Sequence, residues 1–185
     1  MLQETAKVCI LMMSFREMME YLDEVNEKRS KETHKHGTYI CAKVSKHSQN
    51  ELAQCVKKMG IPNPLDKTEY HATITYSRKG VPQAKEYQFN LPITAKIDRW
   101  KIFPSQNGKK CLVAILESDE LEHHHETIKK AYGATYDYAE YHPHVTVTYD
   151  YGDREIPSTI PPIAITFDAV KIEALDADKD YTKGK

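Results

Sequence analysis

The sequence has no excess of charge of either sign. Its 185 residues carry 26 Lys and Arg against 27 Asp and Glu, a formal net charge of −1 with a pI near 6.8. A protein that grips long nucleic acid by its phosphates needs a large basic surface. That class is disfavoured, whereas a small anionic ligand in a local pocket is not. Long hydrophobic runs are also missing. The longest, Val8 to Met13, is far short of the roughly 20 residues that cross a bilayer, and no small-x-small cleavage site follows it. Neither a membrane span nor a signal peptide is therefore expected. Cysteine is scarce. Cys9, Cys41, Cys55 and Cys111 form no C-x-x-C pair, and each sits in an apolar pattern. Buried, reduced thiols and a cytosolic setting are expected. No Asp/Glu/His cluster has helical metal-ligand spacing, so no metal or other cofactor is expected. The length suits one domain, or two small lobes sharing a core.

What is present is a string written twice. Tyr70-His71-Ala72-Thr73-Ile74-Thr75-Tyr76 and His144-Val145-Thr146-Val147-Thr148-Tyr149 both read His-x-Thr-x-Thr-Tyr. Strand side chains repeat every two residues. Strict alternation puts His71, Thr73 and Thr75 on one face and Ala72, Ile74 and Tyr76 on the other. His144, Thr146 and Thr148 likewise oppose Val145, Val147 and Tyr149. The frame is matched as well. His71 follows Gly60 by eleven residues, His144 follows Gly133 by eleven, and an amphipathic helical pattern precedes each glycine. This is an internal duplication.

The remaining elements fit around the two copies. Residues 1–36 stand outside the duplication. Leu11, Phe15, Met18, Leu22 and Val25 give a helical face there, followed by a charged linker from Glu27 to His36. This segment either packs on the main body or serves a partner. Thr38 to Val44 alternates as a strand, with Tyr39, Cys41 and Lys43 on one face. Ser48 and Glu51 form a capping box for a helix with Leu52, Cys55, Val56 and Met59 on its stripe, ended by Gly60. Arg78 to Asn90 reads as a polar loop, and a strand near Leu91 to Phe103 closes the first half. Asn107-Gly108 is a hairpin turn. Cys111 to Leu116 is a buried strand, a helix runs from Asp119 to Gly133, and Ile163 to Leu175 is the final strand. The charged tail 176–185 frays. The order is β-α-β-β, twice. This is an α+β, bilobal architecture, with lobes at about 37–105 and 106–175, pseudo-twofold symmetry and a central cleft lined by both His strands.

Two imidazoles facing one another can act as acid and base, because their ordinary pKa lies near 6.5. Each such proton transfer contributes on the order of 10²–10⁴-fold in rate. The Thr73 and Thr146 hydroxyls can donate to anionic oxygens held between the rings, each bond worth roughly 1.5–3 kcal/mol. Two proton carriers and two donors around one centre suit a phosphodiester, whose transition state gathers negative charge. Among the other histidines, His123-His124-His125 reads as a solvated helix face, and His34, His36 and His47 read as surface residues. His142 shares parity with His144 but precedes Pro143.

The paired motifs resemble those of the 2H phosphoesterases. The stretches Gly60 to Asp66, Tyr70 to Ser77 and Gly133 to Asp150 are similar, more narrowly, to the phage anti-CBASS nucleases, a resemblance over roughly residues 37–175. It implies a bilobal LigT-like fold on the 37–175 domain. It also implies metal-independent cleavage of 3′–5′ bonds in the cyclic di- and trinucleotides of CBASS immunity, such as 3′,3′-cyclic GMP–AMP. The setting would be the cytoplasm of an infected bacterial host, with neither long nucleic acid nor membrane as a partner. His71, Thr73, His144 and Thr146 are the catalytic residues it implies. A ribose 2′-OH would attack phosphorus, giving a 2′,3′-cyclic phosphate and then a 3′-phosphate. Which His is base and which is acid stays open. Candidate substrate contacts are Tyr39 and Lys43 on the first strand, Trp100, and Glu173 on the last strand. Tyr39 and Trp100 would stack on bases, a contact worth about 1–3 kcal/mol each, or else pack at the strand edge. Glu173 would accept from a base amine or remain a solvated carboxylate. Tyr181 is a candidate lid residue. Two rival functions remain: a 2H enzyme acting on linear RNA ends or 2′,3′-cyclic phosphates, and a sponge that holds cyclic nucleotides without cutting them.

Overall fold

The computed structural model describes residues 37–105 and 108–175. The expected N-terminal helix, Asn107 of the hairpin turn, the charged tail and Tyr181 lie outside the described residues. Among the described residues, six strands and two α-helices follow in the order β1 (Gly37–Val44), α1 (Lys46–Lys58), β2 (His71–Ser77), β3 (Ile93–Pro104), β4 (Lys110–Glu117), α2 (Asp119–Tyr132), β5 (His144–Thr148) and β6 (Ala164–Leu175). This is the expected β-α-β-β order, twice.

All the strand pairs are antiparallel, and they close a ring in the order β1-β2-β5-β4-β3-β6. The lobes are not contiguous halves of the chain, which corrects the division at about 37–105 and 106–175. The last strand of each half crosses over: β3 pairs along its length with β4, and β6 with β1. Each lobe is thus a three-stranded sheet, β2-β1-β6 or β5-β4-β3, completed by the other half of the chain.

Both helices start with a serine cap. The Ser45 hydroxyl accepts from the Ser48 N–H at 3.3 Å, and the Ser118 hydroxyl accepts from the Leu121 N–H at 3.3 Å. The α1 cap is therefore Ser45, not Ser48. Ser48 is buried, and its hydroxyl ties the helix to β6 instead, accepting from the Thr166 N–H at 3.0 Å. Leu52 and Val56 of α1 and Leu121 and Ile128 of α2 are buried. They pack with Ala72, Ile74, Val145 and Val147 in one core on the helix side of the sheet. The loop after β2 is less polar in effect than it reads, because Val81 and Ala84 of a short 3-10 turn enter that core.

The alternation expected along the His strands breaks at one point in each copy. Cys41 pairs with Thr73 but Ile40 with Thr75, so Ile74 is an extra residue. Val113 pairs with Thr146 but Leu112 with Thr148, so Val147 is extra. These are matching β-bulges, which re-aim the side chains beyond them. Thr75 and Thr148 consequently turn into the core, 2% and 0% exposed. They do not share the face of the histidines. A bulge carbonyl left out of the ladder must find another donor. His125 Nδ1 lies 2.7 Å from the Ile74 carbonyl, and the Leu65 N–H reaches the Val147 carbonyl at 2.9 Å.

Gly60 and Gly133 follow the two helices at φ +63° and +68°. Among the described residues, no heavy atom crowds a Cβ at Gly60, and at Gly133 the Lys79 Nζ comes near, at 3.5 Å. The demand for glycine is therefore conformational. Gly60→Ala and Gly133→Ala should each cost about 1–2 kcal/mol, lowering Tm by roughly 2–8 °C in a thermal melt, with Asn tolerated better than Ala.

Candidate active site

The strands β2 and β5 meet at a single paired position, Ala72 opposite Val145. An antiparallel pair centred there sets His71 opposite Thr146 and Thr73 opposite His144. All four share the face turned away from the helices, because their neighbours Ala72 and Val145 are fully buried on the other. The ring of strands thus brings both motifs into the cleft. His71 and His144 are near enough for the charge on one to lower the pKa of the other.

The two histidines are held alike. His71 Nδ1 lies 2.6 Å from the Glu69 carbonyl, and His144 Nδ1 lies 2.7 Å from the His142 carbonyl. A carbonyl only accepts, so each Nδ1 carries the proton and each Nε2 is the free lone pair of a neutral ring. Burial is the largest influence on both rings and pushes both pKa values below the usual imidazole value. Tyr39 completes the first half of the site. Its hydroxyl shares a 3.1 Å hydrogen bond with the Thr73 hydroxyl, and its ring stands edge-on to His71.

The face can be followed outward across each lobe. In one, His71 pairs with Lys43, Thr73 with Cys41 and then Lys171, and Tyr39 with Glu173. In the other, His144 pairs with Ile115 and then Arg99, and Thr146 with Val113 and then Lys101. Tyr39, Lys43 and Glu173 therefore lie on the same face as His71, Thr73, His144 and Thr146. Glu173 is bound to the Lys171 ammonium at 2.7 Å.

Comparisons with known proteins give the family and the fold. A family model described as "Anti-CBASS protein Acb1" matches residues 36–182. The chain belongs to the Acb1 family of anti-CBASS proteins. Acb1 of Vibrio phage KVP40 is 35% identical over 123 residues, covering 66% of this chain and 79% of that protein. Acb1 of Enterobacteria phage T4 is 31% identical over 143 residues, covering 77% and 90%. Among solved structures, Escherichia coli LigT complexed with 3′-AMP aligns with a TM-score of 0.53 at 10% identity, over 75% of this chain and 87% of that one. A Thermus thermophilus protein aligns at 0.55 and 11%, over 74% and 86%. These likenesses show the fold, which is LigT-like.

Within this Acb1-family chain, one candidate does not reach the cleft. Trp100 pairs with Ala114, which pairs with Val145, and that row faces the helices. The indole is 5% exposed, packs in the core, and gives its N–H to the Thr159 carbonyl at 2.9 Å. A bulge between Ile97 and Arg99 shifts the register there and so changes the face that Trp100 takes. It offers no open ring to a base. The aromatic side chain that β3 does bring to the site is Phe103, edge-on to His144 at 4.9 Å.

The histidine run on α2 is also corrected. His123 is exposed, but His124 and His125 are each 2% exposed. His124 Nδ1 bonds the Tyr87 hydroxyl at 2.7 Å. His125 stacks on Tyr141, with centroids 4.0 Å apart and planes 3° apart. The Tyr141 hydroxyl donates to the Thr73 carbonyl at 2.8 Å. Helix α2 and the loop before β5 therefore both grip β2. Nothing in a one-dimensional pattern marks Tyr141, because its partners His125 and Thr73 lie far from it along the chain. His142 serves through its backbone carbonyl, and His47 is a surface residue paired with Glu51. Among the described residues, Cys41, Cys55 and Cys111 are free thiols, and no group of three or more His, Cys, Asp or Glu side chains is placed to hold a metal ion.

Burial holds His71, His124, His125 and His144 below the usual imidazole pKa. The unfolded chain therefore binds more protons than the native one between those lowered values and about 6.5. Stability contributed by the neutral rings is complete above about pH 6.5 and is lost as the pH falls through that window. Tm should be flat from about pH 8 to 7 and fall on acidification towards about pH 5. A melting series in which Tm rises on acidification would contradict this.

Proposed function

We propose that this chain is a metal-independent phosphodiesterase that opens 3′–5′ bonds of cyclic di- and trinucleotide messengers in the cytoplasm of an infected bacterium, so blinding CBASS immunity. The supporting observation is the pair of imidazoles fixed in the same tautomer, each with a free Nε2, on strands whose register sets each His against the other motif's Thr. Membership of the Acb1 family and the 2H phosphoesterase fold support a phosphoesterase acting against CBASS.

The chemistry follows from the residues. One Nε2 removes the proton of the ribose 2′-OH, which attacks the adjacent phosphorus. The other ring, protonated, gives its proton to the departing 5′ oxygen. Thr73 and Thr146 donate to the non-bridging oxygens as charge gathers there. The Tyr39 hydroxyl, bound to Thr73, orients that donor. The first product is a 2′,3′-cyclic phosphate, which water opens to a 3′-phosphate. Tyr39, Lys43 and Glu173, on the cleft face around His71, are the proposed substrate contacts, with 3′,3′-cyclic GMP–AMP a representative ligand.

The test is incubation with 3′,3′-cyclic GMP–AMP in EDTA, with linear products resolved by chromatography. Cleavage is expected, with a bell-shaped pH profile. His71→Ala and His144→Ala should each lower turnover at least about 10²-fold while binding persists. Retention without cleavage by the wild type would indicate a sponge. Inertness toward cyclic substrates with activity on linear RNA ends would indicate the broader 2H activity.

A further inference from the structure

Each His motif leaves its regular ladder just past its first threonine, and the two copies repair the break differently. On β2, Thr73 pairs with Cys41, the bulge residue Ile74 follows, and contact with β5 is the single pair Ala72 with Val145. The bulge on β5 is served by backbone, because the Leu65 N–H reaches the Val147 carbonyl at 2.9 Å. The bulge on β2 is served by side chains. His125 Nδ1 lies 2.7 Å from the Ile74 carbonyl, and the Tyr141 hydroxyl donates to the Thr73 carbonyl at 2.8 Å. The two rings are stacked at 4.0 Å, and Tyr136 stands edge-on to both. The Tyr141 phenol is thus wedged against two other rings, with its donor aimed at the backbone of Thr73.

We infer that Tyr141, seated on His125, is a positioning residue of the active site. Its hydroxyl fixes the Thr73 backbone, so that the Thr73 hydroxyl meets a non-bridging phosphate oxygen already aimed. The inference rests on the phosphodiesterase reading above. Tyr141 does more than hold two strands together, because its loop also serves the facing motif. The carbonyl of His142, the next residue, holds His144 Nδ1 at 2.7 Å. The carbonyl of Pro143 accepts from the Leu116 N–H at 2.8 Å and so anchors the loop to β4. Antiparallel register around Ala72 and Val145 sets Thr73 opposite His144. The four residues Tyr141 to His144 therefore place both members of that facing pair, Thr73 through a phenol and His144 through a carbonyl. Thr73 is held at its other end too, where its hydroxyl shares a 3.1 Å hydrogen bond with the Tyr39 hydroxyl.

A donor to charge that gathers only in the transition state is effective because it needs no reorganisation when the charge appears. Without the Tyr141 hydroxyl, the ring keeps its stack but Thr73 can relax about the bulge. The loss then falls on the transition state and not on ground-state binding, so it appears in kcat and not in KM. A residue that acts only through Thr73 also contributes nothing once the Thr73 hydroxyl is gone. A residue that merely stabilised the fold would add its loss to that of Thr73.

The experiment follows cleavage of 3′,3′-cyclic GMP–AMP by Tyr141→Phe, Thr73→Val and the double variant, each assayed well below its own Tm. Tyr141→Phe should lower kcat about 10–100-fold and keep KM within about threefold of wild type. Thr73→Val should also lose rate, and the double variant should lie within about twofold of Thr73→Val alone. A Tyr141→Phe enzyme with normal kcat, a loss confined to KM, a Thr73→Val enzyme at full rate, or losses that multiply in the double variant each overturn the assignment. A second variant weakens the same bond from its other side. The α-hydroxy analogue of isoleucine at position 74 turns the Thr73 carbonyl into an ester carbonyl, a poorer acceptor, and leaves Tyr141 intact. Its kcat should fall, and adding Tyr141→Phe should cost no more than about twofold further. An unchanged kcat there overturns the role of Tyr141. A wild type that leaves the cyclic dinucleotide intact overturns the phosphodiesterase reading, and the assignment with it. A cleaving wild type beside an unimpaired Tyr141→Phe overturns the assignment alone.

Discussion

The cleft depends on one backbone pairing, Ala72 with Val145, where the two halves of the chain touch through their His strands. Antiparallel geometry around that pair sets each histidine against the other motif's threonine. A slip of one residue would turn one motif to the helix side. So short a junction is weak as a ladder, and side chains reinforce it. Tyr141 and His125, both from the second half, bond the carbonyls of Thr73 and Ile74 in the first. The exchange of β3 and β6 closes the ring at its far side, with Ile93 to Lys96 paired to Ala164 to Phe167. Neither lobe can move away from the other without breaking both closures.

Symmetry and its loss divide between the two faces of this sheet. The helix-facing side is duplicated closely: serine caps, terminating glycines, and a bulge at the same point of each His strand. The cleft side has diverged. Lys43 corresponds to Ile115, Cys41 to Val113 and Glu173 to Phe103, while Lys171 and Lys101 correspond as like charges. A duplicated frame delivers two imidazoles held alike, with unequal neighbours. Carbonyls two residues upstream hold both rings in one tautomer, so the difference between them comes from surroundings and not from orientation.

Much of this protein is legible in one dimension. The repeated His-x-Thr string, its eleven-residue distance from a helix-ending glycine, and the polar parity of Tyr39 and Lys43 are local regularities. Local regularities follow from the two-residue strand period and the helix stop, so the β-α-β-β order and the shared face of His71 with Thr73 and of His144 with Thr146 could be read without coordinates. The family resemblance rested on the same stretches.

Other features depend on which strand lies beside which. Trp100 went to the core because a bulge in β3 changed its parity. Thr75 and Thr148 were turned inward by bulges whose carbonyls are satisfied by donors from elsewhere in the chain. His124 and His125 are buried because α2 lies on β2 and receives the loop before β5, which no hydropathy pattern on the helix itself records. The exchange of final strands between lobes, the tie from Tyr141, and the pairing of one imidazole with a lysine and the other with an isoleucine are all non-local. Local spacing was enough to establish the chemical groups and their order along each strand. Which groups meet was left to the closed ring of strands, because contacts across a sheet are set by register between segments far apart in the chain.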